Sequence, residues 1–494
     1  MGILVFSIIL FAFSSTISQA QEIAINEVMA SNNTAISDED GDFSDWVELY
    51  NYGSTPVNLQ GFGLSDDTAA PFKWVFPSLT LQPNAYLLVW ASDKDRTIAG
   101  QPLHTNFKIS SGGEAITITN PQGVLIDESP AVALDPDVSY RRQPYGTGSW
   151  FYFYTSTPNA SNTGTGLTEL LTPPVFSQQS GLYTSSFDLT ISHSNPNAVI
   201  VYTTDGSEPL IDNLTSTDYN YKNVYPVDVG DPFGPMLTAS YTSSLYTQAI
   251  NVYDRSAEPD QVTIKNTNQD PIYIPENSVR KATIIKARAY VDGIPSKIST
   301  RTFFVWSSGN PYNIPVLSLQ IQENLLFGYN EGIYTSGIDF DTWRAENPNN
   351  TQSYRPNWNN YWRRGRSAEY PVNLEIFEST GSELNSVLNQ NAGLRIHGNN
   401  SRKRAIKNLR FYARSEYDDS SVFEHNLFQN TIPDAPVPNN NEFKRIMLRG
   451  DGSGGPVSYD VVFTRAMQPI FNGLTRIQPV IHFINGEYWG LNAV

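Results

Sequence analysis

The sequence contains no cysteine, which rules out disulfides, thiolate metal sites and thiol redox chemistry and leaves any core to packing alone. Charge is scarce and lopsided. Asp, Glu, Lys and Arg make up 16% of the 494 residues, with 32 Lys and Arg against 49 Asp and Glu, a formal net charge of −17. There are five histidines, none in a metal-spaced pair, which argues against zinc. Beyond the first residues no run is long and apolar enough to span a membrane. No Gly-x-Ser-x-Gly elbow is present, although Ser–His–Asp hydrolysis stays open.

What the chain has is aromatic residues: 12% of the total, with 27 Tyr and 25 Phe, in a sequence that is 39% hydrophobic. Such side chains favour pleated, half-buried surfaces, so β-rich folded modules are expected. At about 100–200 residues per domain the length fits roughly three. The apolar run from Met1 to Phe13, followed by the small-x-small site Ser18-Gln19-Ala20, predicts a secretory signal peptide over 1–20 and a secreted or cell-surface location. A buried N-terminal strand is the competing reading, because the run carries no Lys or Arg.

The acidic excess is confined to the front. Through Asn313 there are 15 Lys and Arg against 31 Asp and Glu, and from Ile314 onward 17 against 18, which together make up the totals of 32 and 49. The front modules should therefore repel nucleic acid and anionic surfaces.

From Glu22 to about Tyr154, short strand patterns alternate with Gly, Asn, Asp and Pro clusters, the spacing of a β-sandwich. Strands are expected at Trp46–Asn51, Trp74–Phe76, Ala85–Trp90 and Glu114–Thr119. The order of pieces from Ile25-Asn26-Glu27 through Asp45-Trp46-Val47-Glu48-Leu49-Tyr50-Asn51 to Asp127 resembles the lamin-tail domain, an immunoglobulin-like sandwich. A Thr, Gly, Ser and Asn stretch then reads as a linker. Tyr202-Thr203-Thr204-Asp205-Gly206-Ser207-Glu208-Pro209 resembles the C-terminal β-sandwich of chitobiases and hexosaminidases, a resemblance that implies a fold and no glycosidase chemistry. Its later strands are expected at Ala282–Tyr290 and Thr300–Val305. Between them, about 210–281, lies an insertion without a strong period, and a loop of that length is usually functional or an extra substructure.

From Ile314 the chain carries Gly393-Leu394-Arg395-Ile396-His397-Gly398-Asn399-Asn400-Ser401-Arg402, a basic strand, and the closing Asn485-Gly486-Glu487-Tyr488-Trp489-Gly490 on a strand, turn and strand. This order resembles the CotH family of secreted, kinase-like proteins. The fold class expected is mainly β and multidomain, two immunoglobulin-like sandwiches followed by an incomplete α+β kinase-like domain. The segments are 1–20, 21–160, a linker 161–172, 173–306 and 314–494.

If Ala405 to Ala413 is extended, Lys407 shares a face with Leu409 and Phe411, toward the apolar side, while Arg410 shares the other with Ile406, Asn408 and Tyr412. A partly desolvated lysine there suits a nucleotide phosphate, with a solvated basic strand as the alternative. The CotH resemblance places the nucleotide-binding lysine on Lys407, within a stretch that includes Arg395 and Arg402, and implies ATP and Mg²⁺ as cofactors. Asp460, in a helix expected over 458–471, is either the carboxylate partner of Lys407 or an acid favouring that helix's N-terminus. Asp451-Gly452-Ser453-Gly454-Gly455 reads as a phosphate-cradling loop or a plain turn. In complete relatives the catalytic carboxylates lie beyond the Trp489-Gly490 phrase, so a chain ending at Val494 is expected to lack catalysis.

Asp38, Asp40 and Asp42 surround Gly41 with hard oxygen ligands that could hold Ca²⁺, but the rest of an EF-hand loop and its terminal Glu are missing, so a solvated acidic loop competes. Three function classes remain: ATP-dependent protein phosphorylation as in complete CotH relatives, a surface adhesion or scaffold protein without catalysis, and glycan recognition by the sandwiches. The protein substrate or glycan partner is not specified by these residues.

Overall fold

The computed structural model of the chain describes residues 22–226, 228–266, 275–350, 358–428, 441–450, 457–467, 470 and 476–494, with 457–460 described by backbone alone. The expected signal peptide and the Asp451–Gly455 loop lie outside the described residues. Strands dominate, and the chain divides into two compact units, Met1–Glu169 and Leu170–Val494.

The first unit is built from a six-stranded and a four-stranded sheet. The larger has the order Ser149–Phe153, Ser139–Gln143, Ile23–Met29, Asp45–Asn51, Tyr86–Ala91, Leu103–His104; the smaller runs Leu125–Glu128, Thr117–Thr119, Gly63–Ser65, Trp74–Val75. Ile25, Val47 and Leu49 of one sheet meet Leu64, Trp74 and Ile118 of the other in a single core, the arrangement that alternating strands produce when each sheet buries one face. Gly63 is fixed by crowding, since a Cβ there would lie 2.1 Å from the Pro71 carbonyl oxygen.

Polar groups close the end of this unit. Glu27 accepts from the Thr157 amide and hydroxyl, and Glu48 accepts from Asn26 at 2.8 Å and from the Asn159 amide at 2.5 Å. Buried Asn162 donates to the Arg142 carbonyl at 2.7 Å. These bonds hold residues 155–163, so the start of the expected linker packs onto the sandwich.

In the second unit one sheet runs Ser244–Leu245, Val199–Thr203, Thr283–Val291, Ser299–Val305, Gly181–Tyr183, Leu384–His397, Tyr370–Ser379, Val316–Gln320, Pro479–Ile484, Glu487–Ala493. Asn408–Tyr412 pairs with the far end of Leu384–His397 and in turn with Arg445–Leu448. The expected boundary at 306–314 therefore falls within a continuous sheet, bridged where Gly181 pairs with both Phe303 and Asn385. The closing hairpin forms as the Asn-Gly pair demands: Asn485 and Gly486 have φ of 46° and 81°, the left-handed values of a type I′ turn.

The insertion is a substructure rather than a bare loop. Thr217–Tyr221 and Leu237–Tyr241 form an antiparallel hairpin that buries Tyr219 and Tyr221. Lys222 bonds Asp341, while Lys265 bonds Glu323, which also accepts from the Tyr219 hydroxyl at 2.8 Å. The Glu487 carboxylate accepts the amides of Gln261, Val262 and Thr263. The helix spans Val457–Met467, with Val461 buried and Val462 67% exposed. Adjacent residues on a helix sit 100° apart, so Val461 and Val462 cannot share one narrow face.

Candidate functional site

Lys407 sits immediately before the Asn408–Tyr412 strand and is 1% exposed. It lies on the core side with Leu409 and Phe411. Its Nζ donates to the Arg404 carbonyl at 2.9 Å and lies 4.4 Å from the Tyr361 ring centre and 5.1 Å from that of Tyr334. Burial, and then the nearby Arg402 charge, push its pKa down to about 7. Among the described residues no carboxylate pairs with it. Asp460 lies in the Val457–Met467 helix, but its side chain falls outside the described residues.

The seat is built by Tyr334. Its hydroxyl accepts the Lys407 amide at 2.9 Å and the Trp489 indole N–H at 3.0 Å, and donates to the Ala405 carbonyl at 3.1 Å. The closing hairpin thus reaches Lys407 through one phenol. Sequence reading singled out the phrase containing Trp489 but not this role, since no short-range signal ties residues 73 and 82 positions from Lys407 to it. Tyr361 carried no signal at all.

The two arginines of the same stretch are engaged elsewhere. The Arg402 guanidinium donates to the carbonyls of Gly398, Tyr361, Arg363 and Ile396 at 2.7–3.1 Å, and burial, then Arg364, lower its pKa to about 10. It staples three loop segments. Arg395 binds Glu369, which also takes Arg366 at 2.6 Å and Arg414 at 2.8 Å. The structure therefore brings Arg402 electrostatically near Lys407 while turning Arg395 to the opposite face of the sheet.

In the first unit Asp38, Asp40 and Asp42 converge with ligand atoms within 4.8 Å of one another. The Asp38 carboxylate is fixed by the Asp40 and Asp42 amides, both at 3.0 Å. Lys94 Nζ lies 2.6, 2.7 and 2.9 Å from the three carboxylates. An ammonium thus sits where a calcium ion would, and Arg96 adds a second cation on Asp40 at 2.6 Å. Bonds to Arg96 and Lys94 hold Asp40 down at about 2. Lys94 is more than fifty residues from the loop, and the sequence offered no hint of the pairing.

The lamin tail domain family matches residues 16–132, so the first unit carries a lamin tail domain of immunoglobulin-like type. Comparison with curated proteins gives no match.

Proposed function

We propose that the protein is exported and that its residues 314–494 act as a CotH-like, kinase-like module binding a nucleotide phosphate at Lys407, behind a lamin tail domain and a chitobiase-C-terminal-like sandwich. The observation that carries this reading is the buried amine of Lys407, which among the described residues has no carboxylate partner. A buried cation needs an anion, and an unpaired lysine is poised to take one up together with a proton. Among the described residues the group of three acids close enough to share an ion is Asp38, Asp40 and Asp42, in the other unit. The reading is therefore of phosphate binding, with phosphoryl transfer resting on the family resemblance alone.

Calorimetric titration with ATP, with and without Mg²⁺, tests it. Binding should be saturable, tighter at pH 6 than at pH 8, and weakened by at least about tenfold in Lys407→Ala, the loss of one charge-assisted contact. Wild-type affinity in Lys407→Ala would remove the lysine from the site. A glycan-binding alternative draws on the first unit, where Tyr50 and Tyr86 stack at 4.6 Å beside Tyr52 and Tyr145, 38% and 42% exposed. A glycan array whose signal is lost in Tyr145→Ala would favour it.

A further inference from the structure

We propose that the outward face of the Leu384–His397, Asn408–Tyr412 and Arg445–Leu448 strands docks an extended acidic peptide. The inward residues of these strands, among them Leu394, Ile396, Leu409, Phe411 and Ile446, are buried in one core. Alternation therefore turns Arg395, His397, Arg410, Tyr412 and Arg445 the other way. Register sets Arg395 directly opposite Arg410, and Tyr412 opposite Arg445. Three guanidiniums surround the Tyr412 ring: Arg395 at 4.6 Å, Arg414 at 5.0 Å and Arg445 at 5.9 Å.

Neighbouring loops add Arg366, which shares Glu369 with Arg395, and Arg364, whose charge acts on His397. Among the described residues, the carboxylates bonded to these six arginines are Glu369 and Glu416, which leaves four positive charges over in a chain of net −17. Like charges directly opposite across a sheet destabilise it. Arg410 finds no relief in its bond, which goes to His397 Nε2 at 2.9 Å. Burial, with Arg410, Arg402 and Arg364, pushes the His397 pKa down.

The surplus is complementary to an anion, and geometry selects its kind. Residues of one face recur along a strand about every 6.8 Å, the repeat at which an extended peptide presents alternate side chains. Planar guanidiniums match carboxylates, as Arg395 and Arg414 already do on Glu369.

The test is fluorescence anisotropy of a labelled peptide of alternating Glu and Ser with the full chain at low salt. Saturable binding is expected, absent for the Gln counterpart and weakened about tenfold or more by raising salt to several hundred millimolar. Arg410→Gln with Arg445→Gln should weaken it at least about tenfold, and Arg445→Gln alone, at an exposed position, about threefold. Excess ATP should not displace the peptide, and the His397 imidazole, followed by NMR, should titrate at higher pH once the peptide is bound. Failure to bind the Glu peptide, equal or tighter binding of a uronic-acid polysaccharide or duplex DNA, or unchanged affinity in Arg445→Gln would each overturn the proposal.

Discussion

Burial moves the titration of two side chains in opposite directions. Lys407 titrates near 7 instead of 10.5, so between those values the unfolded chain binds the extra proton and stability rises with pH. Lys407→Met should therefore raise the melting temperature at pH 7, by the equivalent of about 2–4 kcal/mol, with the gain vanishing toward pH 10. A melt series showing a pH-independent difference would contradict this. Glu48 behaves in the reverse sense. Burial, despite the Asn26 bond and helped by Glu27, raises it from 4.5 to about 8, so the folded state keeps the proton and stability present below pH 4.5 is lost as pH climbs toward 8. Glu48→Gln should flatten the fall in melting temperature of the first unit between pH 5 and 8, a slope of at most about 1.4 kcal/mol per pH unit. That Lys407 shares the apolar side with Leu409 and Phe411 was legible, because a period of two admits no other choice next to a buried strand. Its enclosure by Tyr334 and Tyr361 was not, since both rings arrive from distant segments.

At the scale of elements, local chemistry spoke clearly where it is self-sufficient. The Asn485-Gly486 turn was readable because positive φ at two successive residues needs those side chains. The helix was readable in position, and the insertion only as a loop or an extra substructure without its strands, because its hairpin is held by Glu323 and Asp341 and its later part by Glu487, all from far along the chain. The acidic loop follows the same rule. Its carboxylates raise Lys94 well above the ordinary lysine range, although burial opposes them. In Lys94→Ala the three carboxylates lose the cation they share and keep only Arg96 on Asp40, so the variant should melt lower than wild type without divalent ions and recover in millimolar Ca²⁺. The wild type should be indifferent to Ca²⁺. Thermal melts with and without chelator decide this, and a Lys94→Ala protein that ignores Ca²⁺ would show that the loop cannot rearrange into an ion site.

For the whole molecule, the first unit's sandwich was recognisable from short strands at regular spacing, whereas the sheet that joins residues on both sides of 306–314 was not. Sequence reading segments a chain by motif, but strand neighbours are set by pairing across long separations. Scanning calorimetry should resolve two transitions, one for each unit, and residues 22–169 expressed alone should retain the first. A 173–306 fragment should fail to fold, since it leaves Gly181–Tyr183 without its Leu384–His397 neighbour and the insertion without Glu487. A stable, cooperatively melting 173–306 fragment would refute this.

The shared sheet also bears on inheritance. The first unit can be gained or lost in a single recombination event near residue 169, because both its sheets and its core are made by residues before that point. The two stretches that follow cannot be exchanged separately: a foreign replacement for either would have to reproduce the pairing of Gly181 with Asn385 and the grip of Glu487 on Val262. Lineages should therefore shuffle the first unit freely while passing on the remaining sequence as a single block.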